Sequence, residues 1–257
     1  MKVFSVSGIS SSGKTTLVVE LVKELTKRGY TVGTAKSIGC GKGCEGHKHG
    51  NCSGSNHHSK FGFTIDTTGK NSFKHREAGS KQITTWSKGE TAIIYPYQLK
   101  LYEIIDKYDF DYLIVEGARR YPMPKITTGI SRESTEKRMT NTTIAISGKV
   151  ADEYEEINGI KTFKIFEEVE KLADLVENKV YPTIGYRDEV GCSMCNMTCK
   201  ELSEKILKGE KSHLNCKRMY PNIQINTTDE NLKEKLRKQI IKIDLPELPE
   251  KIEIDIE

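Results

Sequence analysis

No stretch of the 257-residue sequence is apolar for long enough to cross a bilayer, so a helical membrane span is not expected. The opening residues, MKVFSVSGISSSGKTTL, hold only a short apolar run broken by Ser and Gly, which does not fit a secretory signal. Neither sign of charge dominates. Forty Lys and Arg stand against 36 Asp and Glu, and a net charge of +4 gives little reason to expect nucleic acid as a partner. No internal repeat is visible, which leaves one large domain or a main domain with a smaller appendage. These absences together predict a cytoplasmic protein. In a reducing compartment its seven cysteines are expected to act as ligands, catalytic groups or buried thiols rather than disulfides.

The chain begins with strong local signals. KVFSVS (2–7) is a β-branched and aromatic run ending at Gly8. Leu17, Leu21 and Leu25 then recur four residues apart, with Val18 and Val22 beside them, up to Gly29. That order is strand, loop, helix. TVGTAK (31–36), TAIIY (91–95), DYLIVEG (111–117), TTIAIS (142–147) and IKTFKI (160–165) read as further strands. Helical patterns run from residue 73 to Trp86, through LKLYEIIDKY, and through EEVEKLADLVE (167–177). Alternating strands and helices predict an α/β fold, a P-loop NTPase with a mainly parallel sheet covered by helices on both faces. A small Cys-rich C-terminal module follows. The expected division is a nucleotide-binding domain over 1–178, a four-cysteine module over 179–220, and a helix and strand extension over 221–257.

GISSSGKT (8–15) matches G-x-x-x-x-G-K-[ST] and sits between a predicted strand and helix, the context that motif requires. Gly8 and Gly13 let the backbone curl so that the N–H groups of Ser10, Ser11, Ser12, Lys14, Thr15 and Thr16 can face phosphate oxygens. Lys14 is expected to reach the β- and γ-phosphates, and Thr15 to ligate Mg²⁺. Glu116, at the end of an apolar strand, is the candidate for the Mg²⁺ shell or for orienting water. Lys70 and Arg76 flank a Gly-Lys turn at a helix start and could meet a second anionic group, the competing view being solvated charges. Nothing reads as N-K-x-D, so motif alone does not decide between GTP and ATP.

GISSSGKTTL, VGTAKS with Lys36, TIDTTGKNSFKHREAGS (64–80) and LIVEG (113–117) resemble the P-loop proteins of molybdopterin-guanine dinucleotide biosynthesis, the MobB family, over roughly residues 1–175. Asp66, Gly69, Lys70, Ser72, Arg76, Ala78 and Gly79 match its most specific pattern. Asn71 stands where that family usually has Asp, and Ser37 where a His is common. The resemblance implies GTP, Mg²⁺, slow hydrolysis with Lys14, Glu116 and Asp66 in catalytic roles, and a homodimer. It also implies a partner, either a molybdopterin guanylyltransferase or a molybdoenzyme or tungstoenzyme.

Cys192, Cys195, Cys199 and Cys216 give C-x2-C-x3-C-x16-C, with an apolar helical stripe of Leu202, Ile206 and Leu207 before the fourth thiol. Such a set can wrap a [4Fe–4S] cluster, with Zn²⁺ and unliganded thiols as alternatives. The segment looks like the small iron–sulfur domain of some redox subunits, in which four residues usually separate the second and third cysteines rather than three. A second collection, Cys40, Cys44, His47 and Cys52 with His49, His57 and His58 nearby, has the donors for Zn²⁺ or Ni²⁺. Two other functions therefore compete with the adapter reading: a nickel or zinc metallochaperone GTPase and a nucleotide-gated iron–sulfur redox protein.

Overall fold

A computed structural model describes residues 1–38 and 66–220. The chain runs β1 (Lys2–Gly8), α1 (Lys14–Lys27), β2 (Val32–Lys36), α2 (Asn71–Glu77), β3 (Ile83–Trp86), β4 (Thr91–Ile94), α3 (Leu101–Ile105), β5 (Tyr112–Glu116) and β6 (Lys125–Thr128). It continues through α4 (Arg132–Glu136), β7 (Thr143–Ser147), β8 (Glu156–Ile157), β9 (Ile160–Phe163), α5 (Val169–Lys179) and α6 (Cys199–Leu207). Seven strands form one sheet in the order β2-β5-β1-β6-β7-β9-β8, parallel except for β8 against β9.

Both faces of that sheet are covered, and the pleat decides which residue goes where. Phe4 and Val6 of β1, with Tyr112 and Ile114 of β5, pack against Leu17, Leu21 and Leu25 of α1 and Leu172 and Val176 of α5. Each fully buried leucine of the α1 stripe contributes about 1.5–3 kcal/mol relative to exposure. The alternate residues Val3, Leu113 and Val115 face the other way, toward Leu101 and Ile105 of α3 and Leu202 of α6. On the first face α1 and α5 are further tied by Arg28, which reaches Glu24, Asp174 and Glu177 at 2.7–3.1 Å.

The Cys-rich segment is thus part of the second face rather than a body hanging from it. Tyr181, Ile184, Tyr186, Cys199, Leu202 and Cys216 share one buried cluster with the sheet. Pro182 also bridges to Lys2 at the start of β1.

Three expectations differ from what is observed. TAIIY is not a buried strand of the main sheet: among the described residues β4 pairs only with β3, in an antiparallel hairpin, and Thr91, Ala92 and Ile93 are exposed. The helix expected from residue 73 to Trp86 stops at Glu77, where the Gly79 N–H turns back to the Arg76 carbonyl at 3.0 Å. The central strand β6 was absent from the predicted set. Its sequence, KITT, begins with a lysine that is nonetheless fully buried. The expected extension over 221–257 lies outside the described residues.

Candidate functional site

The phosphate loop leaves the C-terminal end of β1 and enters α1 through Gly13, whose φ of 91° is open to glycine without strain. Ser12 is buried and does not face a ligand with its side chain. Its hydroxyl meets the Ile9 carbonyl at 2.8 Å and the Thr128 hydroxyl at 2.6 Å, which fixes the loop to β6. Ser10, Ser11, Thr15 and Thr16 are exposed around the mouth of the loop.

Glu116 is the hub of the site. Its register neighbours at the strand ends are Val6 on β1 and Lys36 on β2. Thr15 Oγ1 donates to Glu116 Oε1 at 3.0 Å, and Lys36 Nζ approaches the same oxygen at 3.0 Å. Lys14 Nζ folds back to the Ile9 carbonyl at 2.5 Å. Burial pushes the Lys14 pKa down; Glu116 opposes that, while Lys36 and Arg138 add to it. Lys14 and Lys36 thus share one carboxylate, with Arg138 close enough to act on Lys14, an excess of positive charge suited to a polyphosphate.

Lys36 and Arg138 were not in the predicted site set. The family resemblance rests in part on Lys36, but it is the sheet order laying β2 beside β5 that brings it to Glu116. A third missed residue is Gly148, just after β7, where φ is 91° and ψ −166°. A Cβ there would lie 2.5 Å from the Ser12 carbonyl and 2.7 Å from that of Gly129. It is the close approach of these backbones that supports the loop from beneath. A glycine follows β6 as well as β7 (Gly129 and Gly148), at the sheet edge that carries the phosphate loop, and that repetition was a usable signal.

Asp66, Lys70 and Arg76 form another group, around α2. Ser72 donates to Asp66 Oδ1 at 2.9 Å, Lys70 precedes the helix and is exposed, and Arg76 is buried on it. The helix leads into β3, so these residues are organised with the hairpin.

In the Cys-rich module Cys199 and Cys216 are buried and Cys192 and Cys195 half-buried, all four as free thiols. Gly185 N–H donates to Cys216 Sγ at 3.3 Å. Burial raises the Cys199 thiol to about 12, reinforced by Asp188 and Cys216 against a backbone hydrogen bond from Arg187. Burial likewise raises Cys195, with Cys216 and Cys192 adding to it. Among the described residues no three His, Cys, Asp or Glu side chains converge closely enough to hold a metal ion. The expected quartet Cys192, Cys195, Cys199 and Cys216 is therefore not a preassembled ligand set. Burial raises Cys195 and Cys199, so these two thiols have no charge to draw them to a common centre. Cys40, Cys44, His47 and Cys52 lie outside the described residues.

The family model for "Molybdopterin guanine dinucleotide synthesis protein B" matches residues 3–53 and 45–149, more than half of the chain. The chain belongs to this MobB family. A curated relative from Haemophilus influenzae, a molybdopterin-guanine dinucleotide biosynthesis adapter protein, is 26% identical over 187 residues, covering 71% of this chain and 91% of its own. A relative from Methanocaldococcus jannaschii is 22% identical over 223 residues, 84% of this chain and 76% of its own. The crystal structure of Bacillus subtilis MobB superposes with a TM-score of 0.53 at 23% identity, over 71% of this chain and all of that one, and so supports the fold. No helix among the described residues is long and apolar enough to cross a membrane.

Proposed function

We propose that this MobB-family protein is a nucleotide-binding adapter in the assembly of molybdopterin-guanine dinucleotide, for molybdenum or tungsten enzymes. The observation that carries the reading is the hydrogen bond from Thr15 to Glu116 beside Lys14 and Lys36, which supplies an Mg²⁺ position and phosphate-binding cations in one place. The residues fit GTP–Mg²⁺. Exposed Ser10, Ser11 and Thr16 leave the loop mouth open, Gly13 and Gly148 keep Cβ atoms away from it, and Glu116 is the carboxylate adjoining the Thr15 hydroxyl. Bound Mg²⁺ would neutralise phosphate charge. Thr15 and Glu116 would hold it, Lys14 would turn from the Ile9 carbonyl to the β- and γ-phosphates, and Lys36 would be freed toward the γ-phosphate as Glu116 takes the metal. Hydrolysis by an unactivated water would be slow. Asp66, Lys70 and Arg76 on the α2 side are then left to meet the pterin phosphate or the partner guanylyltransferase.

A homodimer is part of the same proposal. The β3–β4 hairpin and the turn after it expose Trp86, Ile93 and Tyr97, an apolar surface without a covering element among the described residues. Calorimetry with GTP and ATP on the wild type and Lys14→Ala tests the nucleotide reading, and stimulation of GMP transfer to molybdopterin by the guanylyltransferase tests the adapter role. GTP binding that survives Lys14→Ala, or no effect on the transferase, would overturn it.

We further propose that the module takes up a [4Fe–4S] cluster, with Zn²⁺ as the alternative. The C-x2-C-x3-C-x16-C spacing and the N–H donated by Gly185 to Cys216 support this, since cluster sulfurs characteristically accept such bonds. The thiols would have to lose their protons and close on the iron as it enters. Anaerobic purification is expected to give a brown protein with about four irons per chain. A colourless, iron-free protein reconstituted with iron and sulfide to no effect would refute it.

A further inference from the structure

A cavity of about 390 Å³ lies where the sheet body meets α6, lined by Arg119, Arg120, Lys125, Thr140, Asn141 and Lys200, together with Glu204 and Thr142. We infer that this seam is a second anion site, built for a small phosphomonoester and separate from the nucleotide loop. It lies on the face of the sheet that carries α6, opposite the face that carries α1. Lys125 is level with Ser5 of β1, three residues short of the Gly8–Thr128 level at which the phosphate loop opens. Traversing β6 from Lys125 to Thr128 alone covers about 10 Å at ~3.3 Å per residue.

The charge balance calls for an anion. Four cations line the cavity against one carboxylate, Glu204, whose Oε1 is occupied by Asn141 Nδ2 at 3.1 Å. Arg120 and Lys200 make no ion pair among the described residues, although charged side chains across the rest of this surface are commonly paired. Beneath them Lys125 is fully buried, with its ammonium donating to the Arg119 and Tyr121 carbonyls at 2.8 and 3.0 Å and to no carboxylate. A buried ammonium with only neutral acceptors is costly. Burial, with Arg119 beside it, lowers the Lys125 pKa to about 8, and a dianion above it would relieve that penalty.

The donor types favour phosphate. The exposed Arg119 and Arg120 guanidiniums and the Lys200 ammonium, with the hydroxyls of Thr140 and Thr142 3.1 Å apart, match an oxygen-rich tetrahedral dianion, and the volume leaves room for a small organic substituent. One wall comes from the β5–β6 connection and residues 140–142, the other from Lys200 and Glu204 on α6. Among the described residues two side-chain bonds tie α6 to this wall, Ser203 to the Pro122 carbonyl and Asn141 to Glu204. An anion gripped from both sides would fasten the thiol-bearing module to the sheet.

The test uses the full-length Lys14→Ala protein, in which phosphate binding at the nucleotide loop is weakened. Inorganic phosphate and ribose 5-phosphate are titrated by calorimetry and ³¹P NMR, then repeated after adding Arg120→Ala or Lys200→Ala, both at exposed positions. Binding should persist in Lys14→Ala and weaken about tenfold or more with either added substitution. Saturation should slow deuterium exchange across α6. Tighter binding of ribose 5-phosphate assigns the site to an organic phosphomonoester, and equal binding to the phosphate group alone. No binding in Lys14→Ala at millimolar ligand, or binding indifferent to both added substitutions, overturns the inference.

Discussion

Thr15 and Glu116 stand 101 residues apart in the chain, yet Thr15 Oγ1 donates to Glu116 Oε1 at 3.0 Å. The contact joins the first turn of α1 to the end of β5 across the parallel β1–β5 pair. Glu116 is only 8% exposed, so its charge acts in a partly desolvated setting and is answered by Thr15 and Lys36. Replacing the carboxylate by an amide keeps the shape and removes the charge. Glu116→Gln is expected to raise the Mg²⁺ concentration needed for GTP binding by about tenfold or more, as losses of such metal-supporting groups do. Fluorescent-nucleotide titrations over a range of Mg²⁺ measure this, and an unchanged Mg²⁺ dependence would remove Glu116 from the metal shell.

Gly148 supports the phosphate loop through backbone contact. Its φ and ψ of 91° and −166° belong to a region that side chains do not tolerate, and an added methyl would meet the Ser12 and Gly129 carbonyls. Gly148→Ala is expected to cost about 3 kcal/mol, roughly 6–12 °C in Tm for a chain of this size, and to weaken nucleotide binding as Ser12 is displaced. Gly159→Ala is the control. Gly159 also has a positive φ, 75°, but nothing lies within 4 Å of the added methyl, so a smaller stability loss and unchanged nucleotide affinity are expected. Equal behaviour of the two variants would show that backbone strain alone, not contact with the loop, sets the effect.

The parts of this fold that can be read in the sequence are those whose cause is local. The β1–loop–α1 unit announces itself because the glycines, Lys14 and the leucine spacing all lie within about two dozen residues. β6 does not, because Lys125 masks it: a lysine is buried in a sheet only when carbonyls accept its hydrogen bonds, here those of Arg119 and Tyr121, and only the fold of the connection before β6 turns them toward it. TAIIY has the propensity of a strand, but nothing in its sequence says that it will pair with β3 outside the main sheet. Lys36 becomes a site residue only through the order β2-β5-β1, which sets its strand beside Glu116. The thiol spacing of the module was plain to see, whereas convergence of Cys192 and Cys195 on two buried cysteines depends on packing and on what they bind.

The burial of Lys125 has a measurable pH signature. Its folded value of about 8 lies below the ordinary 10.5, so between those limits the unfolded chain holds more protons on this residue than the native one. Stability attributable to Lys125 therefore rises with pH across that window, and the full penalty is present below pH 8. Tyr181 and Cys199, both raised to about 12, act in the opposite sense at high pH, so the wild type is best compared with Lys125→Met, in which they cancel. Between pH 7.5 and 9.5 the wild type should gain on the order of 2 kcal/mol relative to the variant in urea unfolding. A constant difference would mean that the ammonium is solvated in the native protein.

The four module thiols should differ in reactivity before any metal is bound. The thiolate is the nucleophile, so alkylation follows both access and the ease of losing the proton. Cys199 is buried, its thiol is raised to about 12, and its backbone N–H is held by Asp188 at 2.6 Å, which places a negative charge beside it. Cys216 is equally enclosed, with the Gly185 N–H on its sulfur. Cys192 is half-buried on the loop after Gly191 and is the more accessible group. Timed iodoacetamide labelling of the metal-free protein at pH 7.5, read by peptide mass spectrometry, should modify Cys192 first and Cys199 last. Uniform labelling of all four would show that the module opens as a unit in the metal-free state. The ordered result would show that Cys199 and Cys216 are held by the sheet-facing core, with the Cys192 loop left to close last.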